Sequence, residues 1–358
     1  MWIAQIAPLW EPVPPSGYGG VELAVSLLTE ELVRRGHEVT LFASGDSKTR
    51  ATLCAPCSYS LRQDSGVKDY RAFEVLQLSQ AYGKLHQFDI LHSHVDHSAL
   101  ALAELVKTPT LHTLHHMFTP ETELVFNQFA HQPYVSVSEA QRNPCPRLNY
   151  ISTVHNGIDP AAYPFRATAQ RPAYLAFVGR MSREKGPHLA IQVAKEAGLP
   201  LLMAGKVDAS NRDFFHDVLH PQIDGKQITY LGEVSRAEKN ELLGGALATL
   251  CPITRPQPFG LGMIESMACG TPVLAMRQGA APELVAHGQT GFLANEVTEM
   301  VDFIGPASLL SRANCREHVV NQFSVQRMVD RYEAAYRQVI DERMASNGKL
   351  KSAPVLVA

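Results

Sequence analysis

Thr254-Arg-Pro-Gln-Pro-Phe-Gly-Leu-Gly-Met-Ile-Glu-Ser-Met-Ala-Cys-Gly-Thr-Pro-Val273 is the stretch from which the fold is read. The run ahead of it, Ala246-Leu-Ala-Thr-Leu-Cys-Pro-Ile253, is apolar and strand-like. A turn rich in proline and glycine follows, and Leu261, Ile264 and Ala268 then open a helical stripe. Gly270-Thr-Pro272 turns the chain back to the sheet. Strand, loop and helix in this order put loop amides and a helix N-terminus at the carboxyl end of a strand, where open α/β sheets meet anions and sugars. Glu265 falls within the apolar stripe, so its carboxylate is expected to be partly buried and to need a partner. A pair of ligand hydroxyls would serve; a solvent-facing Glu on an ordinary helix is the competing reading.

The same alternation extends outward on both sides. Tyr174–Arg180, Leu201–Gly205 and Gln227–Gly232 read as strands, with a helix over Pro187–Ala197. Earlier in the chain, strands are expected at Trp2–Pro8, His37–Ser44, Asp89–His94, Pro109–His115, Pro133–Ser138 and Tyr150–His155, with a linker over Pro160–Pro172. Val21, Ala24, Val25, Leu28 and Leu32 supply the stripe of a helix that stops at Arg34-Arg35-Gly36, where cations and glycine favour a C-terminus. Strands alternating with helices argue for an α/β protein of two Rossmann-like, doubly wound domains facing a cleft. A last amphipathic helix, Ser324–Met344, has no strand partner of its own. Its apolar side, Met328, Val329, Tyr332, Ala335, Tyr336 and Val339, must pack on a domain already formed.

With 358 residues and 45% hydrophobics the chain can bury two cores of ordinary size. A formal net charge of −3 gives no basic excess for nucleic acid. The apolar N-terminal run lacks a basic leader and is too short to span a bilayer, so a cytoplasmic protein is expected. Six scattered cysteines read as reduced core thiols, and Cys54-Ala-Pro-Cys57 has no second pair to complete a zinc site.

Three further clusters bear on chemistry. His92-Ser-His94-Val-Asp96-His97 matches, locally, the H-x-H-x-D-H pattern that holds zinc in metallo-β-lactamase-like hydrolases, although the alternating parallel units around it fit that fold poorly. His112-Thr-Leu-His115-His116 closes a strand, where an imidazole can donate to an oxyanion or relay a proton. Gly179-Arg180-Met-Ser-Arg-Glu-Lys185-Gly186-Pro187 sets two cations beside a helix start, which suits a diphosphate. Gly17-Tyr-Gly19-Gly20 is not a dinucleotide fingerprint, but its glycines allow backbone to approach a ligand.

The second half resembles the retaining GT-B glycosyltransferases of family 4, whose signature is G-R-x(3)-E-K-G followed by E-P-F-G-x(4)-E-x-M-A-x-G-T-P-V. Here the two parts read Gly179-Arg180 through Glu184-Lys185-Gly186, then Gln257-Pro-Phe-Gly260 through Glu265 to Val273. Gly19-Gly20-Val-Glu22, Arg35-Gly-His-Glu-Val39, Thr113-Leu-His115, Ser136-Val-Ser138, Asn156-Gly157 and Pro282-Glu283 resemble further landmarks in order.

This resemblance implies a first domain over 1–165 on the acceptor side, a donor domain over 166–322, a crossover helix over 323–346 returning to the first domain, and a tail at 347–358. It implies transfer of a hexose-type sugar from a UDP-, GDP- or ADP-sugar, with retention, no cofactor and no metal, to a sugar, lipid-linked or small-molecule acceptor. Arg180 and Lys185 would hold the diphosphate, Glu265 the ribose hydroxyls, and Phe259, Gly260 and Leu261 the phosphates and sugar through their backbone. Val234 would lie near the base, His115 would face the donor sugar and phosphate, and Gly19 and Gly20 would close on the phosphate side or the acceptor. Contact with the inner membrane face is the one membrane option this implies. One position departs from the pattern: Gln257 stands where the family has Glu, and an amide carries no charge to oppose an oxocarbenium-like transition state. The readings are therefore an active transferase, a sugar-nucleotide-binding protein with little or no turnover and, distantly, a metallohydrolase built on His92, His94, Asp96 and His97.

Overall fold

A computed structural model describes residues 1–17, 19–64 and 66–351, with side chains up to 345. The chain divides into two compact units.

The first unit comprises Met1–Val137, Arg142–Gly157 and the chain from Val325 on. Its strands are β1 (Trp2–Ile6), β2 (Glu38–Phe42), β3 (Thr52–Cys54), β4 (Ile90–Ser93), β5 (Thr110–Leu114), β6 (Tyr134–Ser136) and β7 (Tyr150–Thr153). They form one parallel sheet in the order β3-β2-β1-β4-β5-β6-β7, doubly wound about β1. The helix Gly20–Arg34 ends as its sequence demands: Gly36 takes a positive φ of 85°, and the His37 N–H returns to the Leu32 carbonyl. Every expected strand of this half is present. The three-residue β3, next to the Cys54-Ala-Pro-Cys57 pair, goes beyond them.

The helix Val325–Lys351 belongs to this unit. Met328, Val329, Tyr332, Ala335, Tyr336 and Val339 pack on Ile3, Leu28, Leu32, Val39, Ile90 and Leu111, the face anticipated from periodicity. Met328, Val329 and Val339 each contribute roughly 1.5–3 kcal/mol by leaving water. The helix outruns the expected boundary at 346, and residues 352–358 of the expected tail lie outside the described residues.

The second unit comprises Ile158–Ser324 and the short loop Ser138–Gln141. Its strands are β8 (Leu175–Val178), β9 (Leu201–Ala204), β10 (Ile228–Tyr230), β11 (Ala248–Cys251), β12 (Val273–Met276) and β13 (Gly291–Ala294), in the order β10-β9-β8-β11-β12-β13, all parallel. The division falls at Gly157/Ile158, ahead of the expected 165. One contact accounts for this. Tyr163, in the expected linker, is buried, and its hydroxyl reaches Glu265 at 2.9 Å. The Glu283 carboxylate accepts from the Glu139 and Ala140 N–H groups at 2.8 Å each, which joins the 138–141 loop to this unit.

Backbone approach sets the geometry at the carboxyl ends of β8 and β9. Gly205 has φ 144°, and a Cβ there would sit 1.8 Å from the Gly179 carbonyl oxygen. Gly205→Ala is therefore expected to cost about 3 kcal/mol or more, since no flexible side chain can yield. Urea denaturation of the variant against the parent checks it; an unchanged midpoint would disprove the close approach.

Candidate active site

The loop after β8 carries Arg180 and closes in a single 3-10 turn, Arg183–Lys185, before the helix Pro187–Ala197. Gly186, with φ 76°, joins the two; a Cβ there would lie 2.0 Å from the Pro252 carbonyl oxygen, so the turn sits directly on the loop that leaves β11. Thr254 fastens the loops together, its N–H donating to the Glu184 carbonyl at 3.0 Å and its hydroxyl to the Arg183 carbonyl at 3.2 Å.

That contact brings two predicted site residues together. Lys185 Nζ donates to Gln257 Oε1 at 2.8 Å. Burial, and then the Arg180 cation nearby, pull the Lys185 ammonium below its ordinary range. The Arg180 guanidinium donates to Glu184 Oε1 at 2.5 Å and lies 3.7 Å from Asp208. The turn thus holds two cations: the amide of Gln257 solvates the Lys185 charge without cancelling it, while the Arg180 charge is paired with Glu184.

The loop ends at Phe259 and Gly260, and the helix Leu261–Ala268 begins without a side-chain cap, so its N-terminal dipole is left to meet an acceptor. Glu265 is buried at 5% exposure, as its place in the stripe requires. Its Oε1 takes two bonds, from the Tyr163 hydroxyl at 2.9 Å and from Lys239 Nζ at 2.7 Å. Burial and the Glu265 charge drive the Tyr163 phenol far above its usual range, so it keeps its proton and donates it to Glu265. Neither Tyr163 nor Lys239 was among the sequence candidates. Tyr163 lies in the expected linker, and Lys239 in a helix, Arg236–Gly245, announced only by the Ser235–Glu238 capping box. Val234 is half-buried against Tyr174, Ala176, Ala204, Leu242 and Ala246.

Gly19, Gly20 and His115 lie in the first unit. Gly19 has φ 152°, and a Cβ there would meet Pro15 at 2.6 Å. Two of the three histidines of the zinc-like motif, His92 and His94, are committed elsewhere. His92 contacts the Tyr336 hydroxyl through Nδ1 and the Thr113 hydroxyl through Nε2, each at 2.7 Å. His94 contacts His115 Nε2 and Gln5 Oε1, each at 2.8 Å. Asp96, in a left-handed conformation at φ 45°, binds His116 Nδ1 at 2.5 Å, while His97 is exposed and edges onto Phe126. Among the described residues no group of three or more His, Cys, Asp or Glu is placed to hold a metal ion, which removes the ligand set of the metallohydrolase reading. A pocket of about 130 Å³ adjoins this cluster, walled by Trp10, Tyr70, Glu74, His94, Asp96 and His116 among others.

The family described as Glycosyltransferase Family 4 matches residues 18–162, and Glycosyl transferases group 1 matches residues 164–304. The chain belongs to the GT-B glycosyltransferases of family 4. It is 26% identical over 382 aligned positions to a glycogen synthase of Mycobacterium tuberculosis, covering 88% of this chain and 90% of that protein. A D-inositol 3-phosphate glycosyltransferase of Pseudarthrobacter chlorophenolicus is 24% identical, covering 79% and 80%. Among solved structures, a sucrose-phosphate synthase from Thermosynechococcus elongatus superposes with TM-score 0.78 at 19% identity, covering 96% of this chain and all of that one. Anabaena HepE in complex with UDP superposes at 0.74 and 18% identity, covering 94% of this chain and all of that one. The fold of this family member is thus GT-B, and its activity glycosyl transfer. Among the described residues no helix is long and apolar enough to cross a membrane.

The Glu265 pairing can be tested apart from turnover. Lys239→Met should destabilise the protein by about 2 kcal/mol, because a buried carboxylate loses its cation, and adding Glu265→Gln should recover part of that loss. Chemical denaturation of the two single variants and the double variant gives the coupling; strict additivity would contradict the pairing.

Proposed function

We propose that this glycosyltransferase moves a hexose from a nucleotide diphosphate sugar to an acceptor hydroxyl, with retained anomeric configuration and without a metal ion. The observation that carries the reading is the turn in which Lys185, beside Arg180, donates to Gln257 next to an uncapped helix N-terminus. Positive charge from two side chains and a helix dipole is what a diphosphate leaving group needs as its bond to the sugar breaks. Because these charges are preorganised, they stabilise the developing dianion without reorientation. Glu265, with both protein bonds on Oε1, keeps Oε2 for a ribose hydroxyl. Phe259, Gly260 and Leu261 supply backbone toward phosphates and sugar, Val234 the apolar neighbourhood of the base, and Gly19 and Gly20 a close backbone approach. His115 is assigned to the donor sugar.

UDP is the leading nucleotide, since structures of HepE carry UDP and UDP-glucose. On the acceptor side, the pocket walled by Trp10, Tyr70, Glu74 and Asp96 suits a hydroxyl-bearing ligand that meets aromatic faces and carboxylates. Gln257 favours keeping a second reading, a nucleotide-sugar-binding protein with little turnover.

Incubation with UDP-, GDP- and ADP-hexoses, with and without EDTA, decides between them. One donor should be turned over equally in both conditions, and NMR of the product should show the donor's anomeric configuration. Nucleotide binding without turnover of any donor would replace the transferase by the binding protein, and activity lost to EDTA would overturn the metal-free reading.

Gln257→Glu is expected to raise kcat by about tenfold, because a carboxylate opposes the cationic sugar in the transition state. Nucleotide affinity should fall, since the same carboxylate pairs with Lys185 only 2.8 Å from the present amide oxygen. A lower kcat would mean instead that the amide is fitted to a particular sugar.

A further inference from the structure

Beneath His115 a chain of polar side chains runs through the first unit, and apart from His115 itself none of them has a role in the reading above. The rings of His92, His94 and His115, the amide of Gln5 and the hydroxyls of Thr113, Tyr332 and Tyr336 are all buried. They come from β1, β4, β5 and the last helix, and the register sets Gln5 directly beside His92. His115 Nε2 meets His94 Nδ1 at 2.8 Å, and His94 Nε2 meets Gln5 Oε1 at 2.8 Å. Gln5 Nε2 meets the Tyr336 hydroxyl at 3.0 Å, which meets His92 Nδ1 at 2.7 Å. His92 Nε2 meets the Thr113 hydroxyl at 2.7 Å, and that hydroxyl meets Tyr332 at 3.1 Å.

One group in this chain has unlike ends. An amide oxygen only accepts and an amide nitrogen only donates, whereas a hydroxyl or a neutral imidazole does either. With Oε1 toward His94 and Nε2 toward Tyr336, Gln5 fixes every other link. His94 must carry its proton on Nε2, so its Nδ1 must accept, and His115 must donate from Nε2. On the far side, Tyr336 has accepted from Gln5 and donates to His92 Nδ1. His92 Nε2–H then donates to Thr113, and Thr113 to Tyr332. The six bonds run in one direction.

We propose that Gln5, acting through His94, is a positioning residue that holds His115 in the Nε2–H tautomer, so that His115 presents only a hydrogen-bond acceptor, Nδ1, outside the chain. Nδ1 makes no hydrogen bond among the described residues. Burial, with His94 adjacent, keeps the His115 ring neutral by lowering its pKa well below the ordinary imidazole value. The consequence is chemical selectivity. A neutral ring with its proton turned inward accepts from a hydroxyl of the ligand and gives nothing to a phosphate oxygen. That narrows the sequence expectation that His115 meets both sugar and phosphate to the sugar hydroxyl alone. The assignment of His115 to the donor sugar rests on the proposed function, whereas the direction of the chain does not.

The test separates the two. Nitrogen-15 NMR of the ligand-free protein, labelled at histidine, reads the protonated nitrogen of each ring, and His115 should appear as Nε2–H with a bare Nδ1. In Gln5→Met, which removes both ends of the amide at similar volume, His115 should become a mixture of tautomers. His94→Gln should keep the Nε2–H form, because an amide relays in the same direction; His94→Leu should not. Circular dichroism and melting temperature confirm that each variant is folded. In the transferase assay Gln5→Met should lose about tenfold in kcat with the KM for donor changed less than twofold, and His94→Gln should keep most of the parent's kcat. His115 protonated on Nδ1 in the parent, or a tautomer indifferent to Gln5→Met, would overturn the proposal. A tautomer that shifts as described while kcat stays constant would uphold the chain and refute the assignment of His115 to the donor sugar.

Discussion

The hydrogen bond between Tyr336 and His92 joins residues 244 positions apart, and the seating of the last helix on the first unit's sheet rests on it. Apolar packing alone would let the last helix slide or rotate on its sheet, because Met and Val contacts are nearly isotropic. A buried hydroxyl has no such freedom, since leaving it unpaired costs about 1–3 kcal/mol. Tyr332 and Tyr336 therefore act as two pins on consecutive turns, one on Thr113 and one shared between Gln5 and His92. The apolar face supplies the energy of docking, and the tyrosines set the register in which it docks.

The second unit solves its problem with backbone. Gly186 against Pro252 and Gly205 against Gly179 are approaches that no Cβ would permit. They draw the loops after β8, β9 and β11 close enough for Lys185 to find Gln257. Polar burial again decides the details: Glu265 is held by Tyr163 and Lys239, and the Arg312 guanidinium, also buried, spends its donors on the carbonyls of Arg166, Gly244 and Ala246 and on the Thr271 hydroxyl.

How far all this was legible in the sequence depends on the range of the interaction. Periods of two and 3.6 are local, so the strands of both halves and the buried face of the last helix, Met328 to Val339, could be read directly. The Gly179–Pro187 and Gln257–Val273 motifs are local too, and they led to the family. β13 escaped notice because Gly291 at its start resembles a turn, whereas it is needed there because a side chain would strike the Val273 carbonyl. Partners escaped as well. Nothing near Glu265 points to Lys239, nothing near Gln5 points to Tyr336, and Pro282-Glu283 reads only as a landmark of the family resemblance until Glu283 is found holding the Glu139 and Ala140 amides. The H-x-H-x-D-H cluster misled for the same reason: its spacing is local, but its ring nitrogens are engaged by residues far along the chain.

The return of the last helix to the first unit also orders the birth of the protein. A ribosome completes the second unit when Ser324 emerges, yet the first unit, begun at Met1, still lacks one of its layers. Until Val325 and the residues after it arrive, Ile3, Ile90 and Leu111 have only Leu28 and Leu32 of the helix Gly20–Arg34 on that side, and the polar chain from Gln5 to Thr113 lacks its two tyrosine hydroxyls. The half made first is finished last. Nascent chains must therefore carry a partly covered apolar sheet face until the second unit has been made, the condition in which chaperones engage a polypeptide. Loss of the C-terminus by premature termination would strike the N-terminal unit and spare the one next to the break.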